Sequence, residues 1–137
     1  MKKIFTISLL MCLLVSNSAF AKSNTQYFPQ DQPPSILELA FLRDLGLPIL
    51  DAMSAHGNRQ LFTFERIEKI KRNIDEDTYD VTLRVVGYEG AMNPPYKLIR
   101  ITFRIPDHYS DKRMKVISYK AKDITPEEVD ELSKNTR

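Results

Sequence analysis

The residues able to do chemistry are few. They are two histidines, His56 and His108, one cysteine, Cys12, and a carboxylate, Glu89, set in the stretch Tyr88-Glu89-Gly90-Ala91-Met92-Asn93-Pro94-Pro95-Tyr96. A zinc centre would draw on both imidazoles and a carboxylate, but the histidines stand in different segments at a spacing that matches no metal motif. No Gly-x-Ser-x-Gly elbow is present. The four glycines form no phosphate-cradling loop. Glu89 alone suggests acid-base work, as a general base whose pKa burial would raise, with His56 or His108 as its partner. The expectation is therefore no catalytic constellation, no metal and no cofactor.

The stretch around Glu89 reads more readily as a contact loop. Gly90 takes positive φ without cost, and Asn93 favours turns. Pro94 and Pro95 fix φ and remove two donors, and both Asn93 and Pro94 are pushed to extended geometry by the proline that follows. A stiff loop between two paired strands follows, presenting Glu89, Asn93, Pro94, Pro95 and Tyr96. Arg100 and Arg104, on the polar side of the next strand, add a secondary basic surface.

This stretch, together with Ile101-Thr102-Phe103-Arg104-Ile105 and Lys115-Val116-Ile117, resembles a family of small secreted proteins of spore-forming Gram-positive bacteria. That family is known only as a domain of unknown function (three-eight-eight-eight), and its specific element is Glu-Gly-Ala-x-Asn-Pro-Pro-Tyr. The resemblance covers residues 36–122 and implies a fold and a location, not a mechanism. Met92 occupies the x position, where the family often has His, so the resemblance implies no imidazole chemistry in this loop.

Residues 1–21 read as a secretory signal. Met1-Lys2-Lys3 is basic, residues 4–15 are apolar, and Ala19-Phe20-Ala21 fits the small-x-small cleavage rule. The apolar run is shorter than the ~20 residues a membrane-spanning helix needs, and no other stretch qualifies. Cys12 follows Met11, which is too large for a lipidation signal. Cleavage removes this cysteine, and with it any disulfide or thiol chemistry. Cleavage also removes Lys2 and Lys3, which brings the 20 basic residues level with the 18 acidic ones. A neutral domain lacks the basic footprint of general nucleic-acid binding. The localisation expected is secreted, extracellular or associated with the cell envelope.

The elements that must position these residues follow in order. Residues 22–34 are polar and proline-bearing, a flexible lead-in. Residues 35–122 make a single α+β domain. Ser35 with Glu38 forms a capping box, and Leu37, Phe41, Leu45, Ile49 and Met53 give the helix its apolar stripe, kinked or broken at Gly46-Leu47-Pro48. Glu38 is expected on the solvated side. Residues 60–72 read as a strand with a bulge, because parity shifts between Phe64 and Ile67. Two cleanly alternating strands follow, one carrying Val81, Leu83 and Val85 and the other Ile99, Ile101 and Phe103, and then a last strand over 113–121. The layout expected is an N-terminal kinked helix on a four-stranded antiparallel meander, cystatin-like or NTF2-like. Residues 123–137 form an acidic tail with a short helix, opened by Thr125-Pro126-Glu127-Glu128.

Residues 97–122 carry a basic excess and residues 123–131 an acidic one. Two readings arise: the acidic tail folds over the basic strands, or the basic face meets an anionic envelope polymer or a protein partner. The function expected is a secreted, non-catalytic binding or interaction domain using the Glu89–Tyr96 loop. The alternatives are a small envelope hydrolase or small-molecule-binding cone using Glu89, and a structural component of a cell or spore surface.

Overall fold

The structure, a computed structural model, describes residues 24–137. The expected signal segment lies outside the described residues. The fold is α+β. Strand β1 (Thr25–Tyr27) leads into helices α1 (Ile36–Asp44) and α2 (Gly46–Ala55). Strands β2 (Leu61–Asn73), β3 (Thr78–Glu89), β4 (Asn93–Ile105) and β5 (Lys115–Ile124) follow, and helix α3 (Pro126–Ser133) closes the chain. The sheet has five strands in sequential order, each antiparallel to its neighbour. The expected four strands are β2–β5. The fifth, β1, comes from the expected flexible lead-in, where it pairs Thr25–Tyr27 with Lys71–Lys69. Three residues beside a proline cluster carry no alternation to read, but the length of β2 leaves an edge for them to pair with.

Hydrophobic periodicity places the core. Val81, Leu83 and Val85 of β3 and Ile99, Ile101 and Phe103 of β4 share one sheet face and are fully buried there. Leu42, Leu45, Ile49, Ala52 and Met53 of the helical segment cover that face. Leu37, expected in the stripe, is exposed. The helical segment is broken at Leu45, not merely kinked. Pro48 sits in the first turn of α2, where a missing N–H leaves no bond unmade. A second, smaller cluster joins Val86, Leu98, Ile124 and Val129 on the opposite face, and docks α3 there.

Strand β2 departs from regularity twice. Its register shifts between Thr63 and Arg66, the expected bulge, and again between Ile67 and Lys69. Phe64 holds φ at +55° within the first bulge, a backbone region that disfavours side chains with a Cβ. The bulge brings Arg66 under the N-terminal segment. The Arg66 side chain is 1% exposed and forms an ion pair at 2.9 Å with Glu38, itself 3% exposed. Its remaining donors reach the carbonyl oxygens of Pro29, Gln32 and Asn135 at 2.7, 3.0 and 2.5 Å. Glu38 also accepts the Ile67 backbone N–H. Ser35 caps α1 by accepting the Glu38 N–H, but the Glu38 carboxylate turns inward instead of completing the capping box. One buried pair thus gathers the residues before α1, the start of α1, β2 and the chain's C-terminal end.

Candidate functional site

The β3–β4 hairpin is tight. Glu89 pairs with Asn93 across Gly90-Ala91-Met92, and Gly90 and Met92 hold φ at +49° and +60°. The Pro94–Pro95 peptide bond is cis. Two hydrogen bonds hold the hairpin: Tyr96 Oη donates to the Met92 carbonyl and Gln60 Nε2 donates to the Pro95 carbonyl, both at 2.6 Å. Gln60 is buried, and its own N–H is accepted by Asn58 Oδ1 at 2.9 Å. Gly87 gives it room, because a Cβ there would lie 2.6 Å from Gln60 Oε1. Glu89, Asn93, Pro94 and Pro95 are exposed, and Tyr96 is half-buried.

The hairpin forms one wall of a cleft of about 420 Å³ at this end of the core face. Pro95 and Glu89 line it from the hairpin, Lys97 from β4, Tyr119 from β5, and His56, Asn58 and Gln60 from the turn between α2 and β2. The turn exists because Gly57, at φ +77°, ends α2 in a left-handed residue. His56 Nδ1 lies 2.8 Å from the Ala52 carbonyl, which fixes the proton on Nδ1 and leaves Nε2 as an acceptor in the neutral ring. The ring stacks on Tyr119, with centroids 4.1 Å apart and planes 8° from parallel. Tyr119 lies in the last strand expected from the sequence but was not among the candidate site residues.

The Tyr119 hydroxyl decides the character of this cleft. It is buried with no hydrogen-bond partner, whereas buried hydroxyls are ordinarily satisfied. Burial raises its pKa, against the opposing influences of Asn58 and Lys97. Gln60 engages the Asn58 amide at both ends but leaves it one N–H; this stands close enough to Tyr119 to oppose the rise in its pKa without meeting hydrogen-bond geometry. Lys97 is held at 3.4 Å by Asp123. The Glu89 side chain has no hydrogen bond or ion pair among the described residues. His108 lies in the β4–β5 connection, at the far end of β4 from Glu89, so the pairing of Glu89 with His108 is excluded; His56 alone shares the cleft with it.

Arg100 and Arg104 lie elsewhere, on the sheet face opposite α1 and α2. There Arg66, Arg84, Arg100 and Lys120 stand directly across from one another on four adjacent strands, an arrangement of like charges that costs stability unless compensated. Glu68 accepts from Arg100 Nε at 2.9 and 3.0 Å. Asp80 takes Arg104 in a two-pronged grip at 2.8 and 3.0 Å, with Glu76 adding a third contact. The bond to Arg104 holds Asp80 below the ordinary aspartate range and raises Arg104. Arg84 is buried with neutral acceptors only: Gln30 Oε1 and the carbonyls of Phe64 and Leu132. Burial lowers its pKa, and the Arg66 charge lowers it further. The two arginines expected to reach a partner are therefore already spent on carboxylates.

No family model, no curated protein and no solved structure matches this chain. No helix among the described residues is long and apolar enough to cross a membrane.

Proposed function

We propose that this chain is a secreted, non-catalytic binding domain whose site is the cleft between the Glu89–Tyr96 hairpin and the α2–β2 turn. The observation that carries this reading is the unsatisfied Tyr119 hydroxyl, a buried donor with no partner in its own chain. A small molecule that supplies an acceptor to it relieves a cost of about 1–3 kcal/mol. Lys97 stands near that acceptor, and Glu89 lies across the cleft as a carboxylate without a partner. The ligand that matches is small and two-ended, with a carboxylate or other acceptor toward Tyr119 and Lys97 and an ammonium or hydroxyl toward Glu89. The hairpin serves as a rigid wall, preorganised by its bonds to Gln60 and Met92, which limits the ordering cost of binding. A catalytic reading has less support, because no second titratable group is hydrogen-bonded to Glu89.

Calorimetry with four probes tests this: acetate and ethanolamine offer one end each, and glycine and diglycine offer both. The two-ended probes bind wild type measurably more tightly than either single-ended one, and Tyr119→Phe and Glu89→Gln each weaken them. Absence of binding by all four, or binding unchanged in Tyr119→Phe, overturns the assignment.

A further inference from the structure

The face opposite α1 and α2 is covered by α3 at one end and, over Arg66 and Arg84, by residues 29–32 and Asn135; the rows beyond are open. Its register rows describe a surface with two chemistries. Tyr27, Lys69, Thr82, Thr102 and Ser118 lie in one row across all five strands. They contribute to a shallow groove of about 230 Å³. Its floor is hydroxylic, with Thr82 and Thr102 sharing a hydrogen bond at 3.0 Å, so that one of the two keeps a proton to donate. Its flanks are cationic, and the one carboxylate among the lining residues, Asp80, is already gripped by Arg104. Lys69 and Lys71 on β2 and Lys115 and Lys120 on β5 are exposed and form no ion pair among the described residues. Tyr27, 72% exposed, supplies the one aromatic ring lining the groove.

We propose that this face binds an acidic polysaccharide, a polymer of uronate type, laid across the strands between the lysines of β2 and those of β5. Charge complementarity selects an anion. The kind of anion follows from which cations are free. Arginine forks suit phosphates, but Arg100 and Arg104 are occupied by Glu68, Asp80 and Glu76. The lysines that remain are point charges without a fork geometry, able to pair with single charges spaced along a polymer. A floor of hydroxyls matches sugar hydroxyls, and a single exposed ring is no stacking platform for successive bases. Exposed pairs of this kind weaken with salt. The surface is separate from the cleft, so neither assignment depends on the other.

The test is retention on immobilised polygalacturonate, with neutral dextran, inorganic polyphosphate and a single-stranded oligonucleotide as comparison ligands. Wild type is retained on polygalacturonate at low salt and released at high salt. Lys69→Gln/Lys71→Gln, both exposed and free of structural bonds, keeps its thermal transition and loses affinity by about tenfold. Tyr119→Phe is retained like wild type. Equal retention of the double lysine variant, equal retention on dextran, or stronger binding of the oligonucleotide or polyphosphate overturns the proposal.

Discussion

Glu38 and Arg66 show how one side-chain pair can decide a fold's stability without marking a site. Neither is exposed, and each satisfies the other. Removing one partner leaves a buried charge uncompensated, which costs about 3–5 kcal/mol. Glu38→Ala is expected to lose stability of this order in urea denaturation, far more than a change at an exposed glutamate such as Glu127. This pair was illegible in the sequence. Glu38 stood three residues after Ser35 and was already explained as half of a capping box, and Arg66 lay in a segment of mixed periodicity. Tyr119 was hidden for the opposite reason: its spacing suited a core position, and only the three-dimensional arrangement shows its hydroxyl stranded. Tyr119→Phe deletes an unsatisfied donor and is expected to leave stability equal or slightly higher at neutral pH. The pH dependence has a definite sign. The folded chain holds the Tyr119 proton to higher pH than the unfolded chain, whose phenol titrates near 10.0. The contribution of Tyr119 is therefore constant below that value, and stability falls as pH rises from there through the folded pKa. The phenylalanine variant shows a shallower alkaline fall in the same denaturation series.

At the level of elements, the strands with clean alternation were the legible ones. Val81, Leu83 and Val85, like Ile99, Ile101 and Phe103, have no reading other than a half-buried strand, and all six are buried. The bulge between Thr63 and Arg66 was also legible as a parity shift between Phe64 and Ile67: Phe62 and Ile67, five residues apart, share the helix-covered face, while Phe64 packs on the other. The second bulge, between Ile67 and Lys69, went unread, although Ile67 and Ile70, three residues apart, both pack on the helix-covered face. A bulge in β5 between the partners of Thr102 and Phe103 likewise explains why Val116 and Tyr119 both reach the core. The hairpin was legible as a connection between two paired strands, but its attachment through Gln60 to the α2–β2 turn depends on a contact distant in sequence. Gly87 makes that contact possible. Gly87→Ala forces Gln60 away from the Pro95 carbonyl and crowds Ile99, whose Cδ1 lies 3.2 Å from the new Cβ. A loss of about 1–3 kcal/mol is expected from overpacking of this kind, accompanied by shifted amide resonances at Asn58 and Lys97 in a heteronuclear NMR spectrum.

Across the whole molecule, the sheet separates two environments. Helices α1 and α2 seal one face and leave a cleft at its hairpin end. The other face is apolar where α3 docks, buried over Arg66 and Arg84, and elsewhere polar, open and cross-linked by arginine–carboxylate pairs. Charge is paired locally: within the basic run of residues 97–122, Arg100 is met by Glu68, Arg104 by Asp80 and Glu76, and Arg113 by Asp44. The acidic tail reaches the strands through Asp123 and Glu128, which pair with Lys97 and Lys122. Two of the paired carboxylates, Asp80 and Asp44, contribute to acid stability. Asp80 and Asp44 have folded pKa values lowered by their bonds to Arg104 and Arg113. Their contribution is present above the unfolded value of 3.8 and is lost as pH falls through the lowered folded values. Asp80→Asn is expected to flatten the acid limb of the stability curve, as measured by thermal unfolding between neutral pH and the acid range.

The most direct measurement on the cleft is amide chemical-shift mapping of the uniformly labelled protein during titration with diglycine. The account predicts saturable shifts confined to Gly57, Asn58, Gln60, Glu89, Lys97 and Tyr119, abolished in Tyr119→Phe. Shifts centred instead on Lys69, Thr82 and Thr102, or none at any concentration, would contradict it.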